Sequence, residues 1–219
     1  MMSSTRQGVR IVTSPLNPNT FRAQEVQRLK KENEELHEEI NSLRTFVGSL
    51  DNLYNAADKF KDDSELFGFL RGTLNTAMKI LNAPDGSLAL LDEDTQELVF
   101  VIVVGEIADK LTNQRISLDS GVAGWVVRHQ KATLVRDVKR DPRFYSELDS
   151  RFSFHTQSIA AAPLIGNRKI YGMVEVLNQP GTEPFSDADM VLLKLFCRAV
   201  GDALANIEKM GAKEPEKVE

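Results

Sequence analysis

The sequence predicts an α+β fold: an antiparallel sheet flanked by helices and preceded by a long coiled-coil helix. Three features predict it. Apolar residues recur at alternating steps of three and four from Val26 to Ala57; short β-rich runs separated by turns fill the middle of the chain; and a second helical stripe runs from Leu193 to Met210. Residues 1–19 mix Ser, Thr, Gln, Asn and two prolines without periodicity and are expected to form a flexible leader. Helical order is expected from Thr20, a capping residue type.

Residues 20–61 predict a coiled-coil dimerisation helix. Val26, Asn33, Ile40, Val47 and Tyr54 occupy the first heptad position, and Leu29, Leu36, Leu43, Leu50 and Ala57 the fourth. β-Branched residues at the first position with leucine at the fourth favour a parallel pair, and one seam Asn fixes register and strand number. In such a pair Glu25 faces Lys30, Glu32 faces His37 and Glu39 faces Arg44 across the interface. The alternative is a single helix lying on the globule, where a buried Asn33 has no evident role. Phe46, Leu53 and Phe60 form a second apolar line where the helix begins to touch the globular part.

The globular domain is expected over residues 62–210. Asp63 or Ser64 caps a helix whose face is Leu66, Phe67, Leu70, Leu74, Met78 and Leu81, and Pro84 ends it. "GSLALL" and "ELVFVIVVG" form a hairpin across "DEDTQ". "RISLD" is a short strand, "GVAGWVVRH" a helix opened by glycine, and "ATLVRD" another strand. "DPRFYSELDSRF" turns and becomes a short helix, and "SIAAAPLI" and "KIYGMVEVLN" are strands joined at "GNR". The last helix starts at Ser186, and residues 211–219 are expected to be a flexible tail.

The order of elements, together with "SLDSGVAGWVVRHQKATLVRDVKRDPRF", "IAAAPLI", "YGMVEVLNQ" and "FSDADMVLLKLF", resembles the GAF domain, a small-molecule sensor module. The resemblance implies an antiparallel sheet with the first and last helices on one face. On the other face it implies a ligand pocket beneath a lid, here Gly121–His129 and Asp137–Phe154. It also implies dimerisation through flanking helices. In the cyclic-nucleotide-binding branch of the family, a lysine and an aspartate pair to hold the lid. Asn178, Phe185 and Asp189 match that pattern, but Gln179 stands in place of lysine and Met190 in place of the following acid. The same residues serve a plain connector: Asn178 ends a strand, Pro180 and Gly181 turn the chain, Phe185 enters the core, and Ser186 with Asp189 opens the last helix as a capping box.

Candidate ligand-binding residues are Trp125, Asp137, Phe144, Ser158 and Ala160. Ser158, Ala160 and Ala162 alternate along one face of their strand, where small side chains leave volume above the sheet unless Trp125, Phe144 and Phe152 fill it. Residues 128–151 hold seven Arg or Lys against four acids, which favours an anionic ligand or reflects a solvated lid surface.

Composition excludes several classes. With 32 acids against 27 bases the chain has no basic field for nucleic acid, and no apolar run approaches a membrane span. One cysteine, Cys197, makes no intramolecular disulfide and suits the cytoplasm; it also falls short of the thiol pair that GAF-type methionine sulfoxide reduction needs. The three histidines are dispersed, no metal spacing appears, and no phosphate-cradling glycine loop is present, so no cofactor is expected. The expected function is a non-enzymatic, dimeric, cytoplasmic sensor that passes a helix rearrangement to a separate output protein. The alternative is a ligand-free dimerisation scaffold.

Overall fold

The computed structural model describes residues 18–56, 63–178 and 185–211. It begins with α1, Pro18–Ala56, and α2, Asp63–Ile80. The strands β1 (Asp85–Asp92) and β2 (Glu97–Val104) follow, then α3 (Ala108–Leu111), β3 (Arg115–Ser117), α4 (Gly121–His129) and β4 (Thr133–Val135). A 3₁₀ turn, Val138–Arg140, precedes α5 (Ser146–Phe152), β5 (Ile159–Gly166), β6 (Lys169–Leu177) and α6 (Asp187–Gly211). The six strands pair antiparallel in the order β3-β2-β1-β6-β5-β4, with the α+β character that the sequence predicts.

Local chemistry sets the turns. Asp92 Oδ1 accepts hydrogen bonds from the amides of Asp94 and Thr95, folding the β1–β2 loop on itself. Asn167 and Arg168 both adopt positive φ, which gives the two-residue β5–β6 hairpin a twist matching its strands. The β1–β2 ladder slips between Leu88 and Ala89, so Val101 has no partner. Past this bulge the alternation of β2 inverts: Leu98 and Phe100 share a layer with Val103.

The sheet separates two apolar layers. On one side α2, α6 and the second part of α1 bury Phe46, Leu70, Leu74, Leu88, Ile102, Val174, Val176 and Phe196. On the other, α3, α4 and α5 bury Phe100, Leu111, Val122, Val126, Phe152, Phe154 and Met173. Two very short elements, α3 and the 3₁₀ turn, have no counterpart in the sequence reading because neither is long enough to show a period.

Small residues on β5 serve a different purpose from the one expected. Ala160 and Ala162 lie in the layer of α6, not on the side of α4 and α5. They let α6 come close: the Cys197 thiol reaches the Ala162 carbonyl oxygen at 3.6 Å, and a side chain at Gly166 would collide with the Gly201 carbonyl. Volume that seemed free above the sheet is taken by the last helix.

The compact unit that holds the sheet begins at Asn41, inside the continuous helix α1, whereas the sequence places the start of the globular domain at residue 62. The reason is Phe46. It is 2 % exposed, its ring centroid lies 6.3 Å from that of Phe196, and Leu50 packs beside it. Of the second apolar line, Phe60 lies outside the described residues. In the seam, by contrast, Val26, Leu29, Leu36, Ile40 and Val47 are 45 to 63 % exposed. A fragment of residues 41–219 is expected to unfold cooperatively, and one of 62–219 to be less stable than it by about 3 kcal/mol, since Phe46 is lost from the core. Urea melts of the two fragments check this; equal midpoints would show that Phe46 is dispensable.

Candidate functional site

A cavity of about 60 Å³ lies between the sheet and the layer of α3, α4 and α5. Its floor is Phe100 of β2, Ile159 at the start of β5, and Glu175 and Leu177 of β6; its cover is Val122 and Ala123 of α4 with Phe144, Tyr145 and Leu148 at α5. Gly121 starts α4 at φ +70°, a conformation that suits glycine, and Tyr145 stands against it. Gly124 lies so close to the Leu118 carbonyl that any side chain would force α4 away from the preceding turn.

The polar groups in the wall are Ser120, Asp149, Thr156 and Glu175, besides the Tyr145 hydroxyl, which donates to Glu147 at 2.8 Å. Asp149 is held from both sides of its carboxylate: the Thr156 amide donates to Oδ2 at 2.8 Å and the Thr156 hydroxyl to Oδ1 at 2.7 Å. This clasp joins α5 to the segment leading into β5. Glu175 is 8 % exposed and receives the Ser87 hydroxyl on Oε1 at 3.0 Å. Burial pushes its carboxyl up to about 7; Ser87 opposes the rise and the negative charge of Asp149 adds to it.

The sequence-predicted residues disperse. Phe144 lines the cavity. Trp125 does not line the cavity; it is stacked with His129 at 4.5 Å and has the Arg143 guanidinium 4.4 Å from its ring centroid. Asp137 caps the 3₁₀ turn by accepting from the Lys139 amide and pairs with Arg140. Ser158 is buried and its carbonyl accepts from the Asn178 amide, while Ala160 lies under α6. None of the bases in or beside the lid lines the cavity: Arg128 pairs with Asp119, Arg136 with Asp187, Arg140 with Asp137 and Arg143 with Asp141, while Arg151 donates to Gln114 and lines the adjoining pocket. They therefore do not supply the positive lining on which an anionic ligand was expected.

In the altered motif, Asn178 bridges strand ends, accepting from the Gln157 amide at 2.7 Å and donating to the His155 carbonyl at 3.1 Å. Gln179 lies outside the described residues. Phe185 is buried in the α6 layer. Asp189 and Ser186 close a reciprocal capping box: the Ser186 amide donates to Asp189 Oδ2 at 2.7 Å, and the Asp189 amide to Ser186 Oγ at 3.2 Å.

Sequence reasoning passed over Glu175, Asp149 and Thr156. The signal for Glu175 was present: an acid in "YGMVEVLN", in step with Met173 and Leu177, places a charge on a buried strand face.

The family model of the GAF domain matches residues 66–204, more than half of the chain. The chain belongs to the GAF domain family. GAF domains are small-molecule sensor and regulatory domains found in phosphodiesterases and sensor proteins. Among relatives, the dual 3',5'-cyclic-AMP and -GMP phosphodiesterase 11A of Takifugu rubripes is 27 % identical over 166 residues, 68 % of this chain and 18 % of the relative. The mouse (Mus musculus) cone cGMP-specific phosphodiesterase subunit alpha' is 29 % identical over 87 residues, 40 % of this chain and 10 % of its own length. This chain therefore spans about a fifth or less of the curated relatives it matches. The fold is that of the GAF domain from Acinetobacter phosphoenolpyruvate-protein phosphotransferase: TM-score 0.61, 18 % identity, 77 % of this chain and 98 % of that one. No helix among the described residues of this GAF protein is long and apolar enough to cross a membrane.

Proposed function

We propose that this chain is a non-enzymatic, dimeric, cytoplasmic GAF sensor that binds a small ligand in the cavity beneath α4 and α5 and passes a helix rearrangement to a separate partner protein. The cavity carries the reading: apolar walls with a few convergent polar groups are the usual make-up of a small-molecule site. Its floor also supports transmission, because β6 turns Glu175 toward the cavity and Val174 and Val176 toward α6. A ligand that prefers one arrangement of lid and sheet shifts the population toward it.

Catalysis by thiol chemistry finds no support. Cys197 lies in the α6 layer, buried, and burial pushes its thiol far above the usual range. Among the described residues no group of three or more His, Cys, Asp or Glu is placed to hold a metal ion. Homodimerisation through a parallel coiled coil is supported by the exposed seam from Val26 to Val47. Native mass spectrometry tests sensor and dimer together. Twice the chain mass with an extra small mass lost on activation is expected; a bare monomer would overturn both.

A ligand-free dimerisation scaffold is the second reading, favoured by volume. A cavity of about 60 Å³ is well below the roughly 300 Å³ at which small-molecule pockets begin, so a drug-sized ligand needs more room than it offers.

Cyclic AMP and cyclic GMP are expected to leave the melting temperature unchanged at millimolar concentration. Gln179 cannot make the ion pair that lysine makes in the nucleotide-binding branch, and Asp189 is engaged in its capping box. A ligand at a hundred times its Kd adds about 2.7 kcal/mol. A clear upward shift with either nucleotide would refute the expectation.

A further inference from the structure

We propose, resting on the sensor reading, that the cavity takes a ligand whose polar end is a cationic nitrogen group, an amidine or amine on a small apolar body, and that Glu175 receives it. Among the described residues that line the cavity none is Lys, Arg or His, while two carboxylates, Asp149 and Glu175, do line it. Most of the remaining wall is apolar, including Ile107, Leu111, Ile116 and Phe154. An anion would lose its hydration there and meet the Asp149 carboxylate without a countercharge, and above pH 7 the charge of Glu175 as well, a combination that buried charges do not tolerate.

The two acids differ in what they have left to offer. Both oxygens of Asp149 already accept from Thr156. Glu175 is more than nine-tenths buried, and among the described residues Ser87 is its one hydrogen-bond donor, on Oε1. Oε2 therefore has acceptor capacity in a wall where a planar, forked N–H donor finds a matching partner. The start of α4 at Ser120 and Gly121 has the opposite polarity, and beyond Ser120 and Leu148 the adjoining pocket carries Arg115 and Arg151 beside Glu147, so a partial negative charge elsewhere on the ligand would point that way.

Titration follows from the same surroundings. The ionisable groups among the lining residues are Tyr145, Asp149 and Glu175; the neighbouring strands contribute Ser87 from β1 and Ile159 from β5, and α4 contributes Val122 and Ala123. Asp85, also on β1, accepts from the Glu106 amide. A cation binding the ionised form of Glu175, whose carboxyl titrates at about 7, binds about tenfold more tightly at pH 8 than at pH 6.

Acetamidinium, acetamide and acetate have nearly the same shape and differ in charge; benzamidinium, benzamide and benzoate repeat the series at a size that requires the lid to open. Amide chemical shifts of the full chain, read at Gly121, Thr156 and Glu175, measure each affinity and locate it. Each amidinium is expected to bind at least about tenfold more tightly than its carboxylate, with the rise from pH 6 to pH 8, and Glu175→Gln should reduce that preference at least about tenfold. Carboxylates binding as tightly at these positions would sink the inference while leaving the sensor reading intact. So would amidinium binding that Glu175→Gln and pH leave unaltered. Failure of all six probes would overturn the inference, and with a bare native mass it would remove the sensor reading too.

Discussion

Phe196→Ala is expected to destabilise the protein by about 3–5 kcal/mol, the range for removing a large aromatic from a packed core. Phe196 is fully buried in the layer of α2 and α6, and its ring meets Phe46. The cavity left behind is bounded by the sheet on one side and by three helices on the other, so collapse can refill only part of it. Phe46→Ala should cost comparably, and the double variant less than the sum, because the two rings share one contact. Guanidinium melts of the three variants measure this. A loss below about 1 kcal/mol for Phe196→Ala would show that the second part of α1 is not seated on α6 in solution.

Glu175→Gln is expected to stabilise the protein at pH 8 and to remove most of the pH dependence of stability between pH 5 and pH 7. The folded protein holds the Glu175 proton up to about 7, whereas the ordinary value is 4.5. Between those values the folded chain binds more protons than the unfolded one, so stability falls as pH rises, and it levels off above 7. The difference is on the order of 3 kcal/mol. Glutamine still accepts from Ser87 and carries no charge to desolvate. Thermal melts across pH 4 to 9 compare the two proteins. A wild-type curve that rises between pH 5 and pH 7 would mean that Glu175 ionises freely in the fold.

The elements of this fold were legible because most are long enough to show a period. The hairpin of β1 and β2, the strands β5 and β6, and the helices α2, α4 and α6 all follow from apolar spacing and turn residues. What spacing could not show was which of two buried faces a strand residue meets. Ala160 and Ala161 are equally buried and belong to opposite layers. Small side chains there signal room for a ligand or for large neighbours that fill it, and close approach of a helix demands the same residues. The candidate site was legible at Phe144 and, by its step with Met173 and Leu177, at Glu175, whereas the clasp of Asp149 on Thr156 depends on side-chain placement that no apolar period reports. The lid bases misled for a related reason: counting charges along a segment ignores that each of Arg128, Arg136, Arg140 and Arg143 has an acid beside it.

The meeting of Gly166 with Gly201 bears on how motion could leave the sheet. Where side chains separate two elements, rotamer changes absorb part of any displacement, and the joint has slack. Here backbone rests against backbone, with the Ile165 carbonyl facing Gly201 in the same way. Nothing compressible lies between them. Strand β5 and helix α6 therefore have little slack where Gly166 meets Gly201, and any side chain introduced at either position is expected to push them apart.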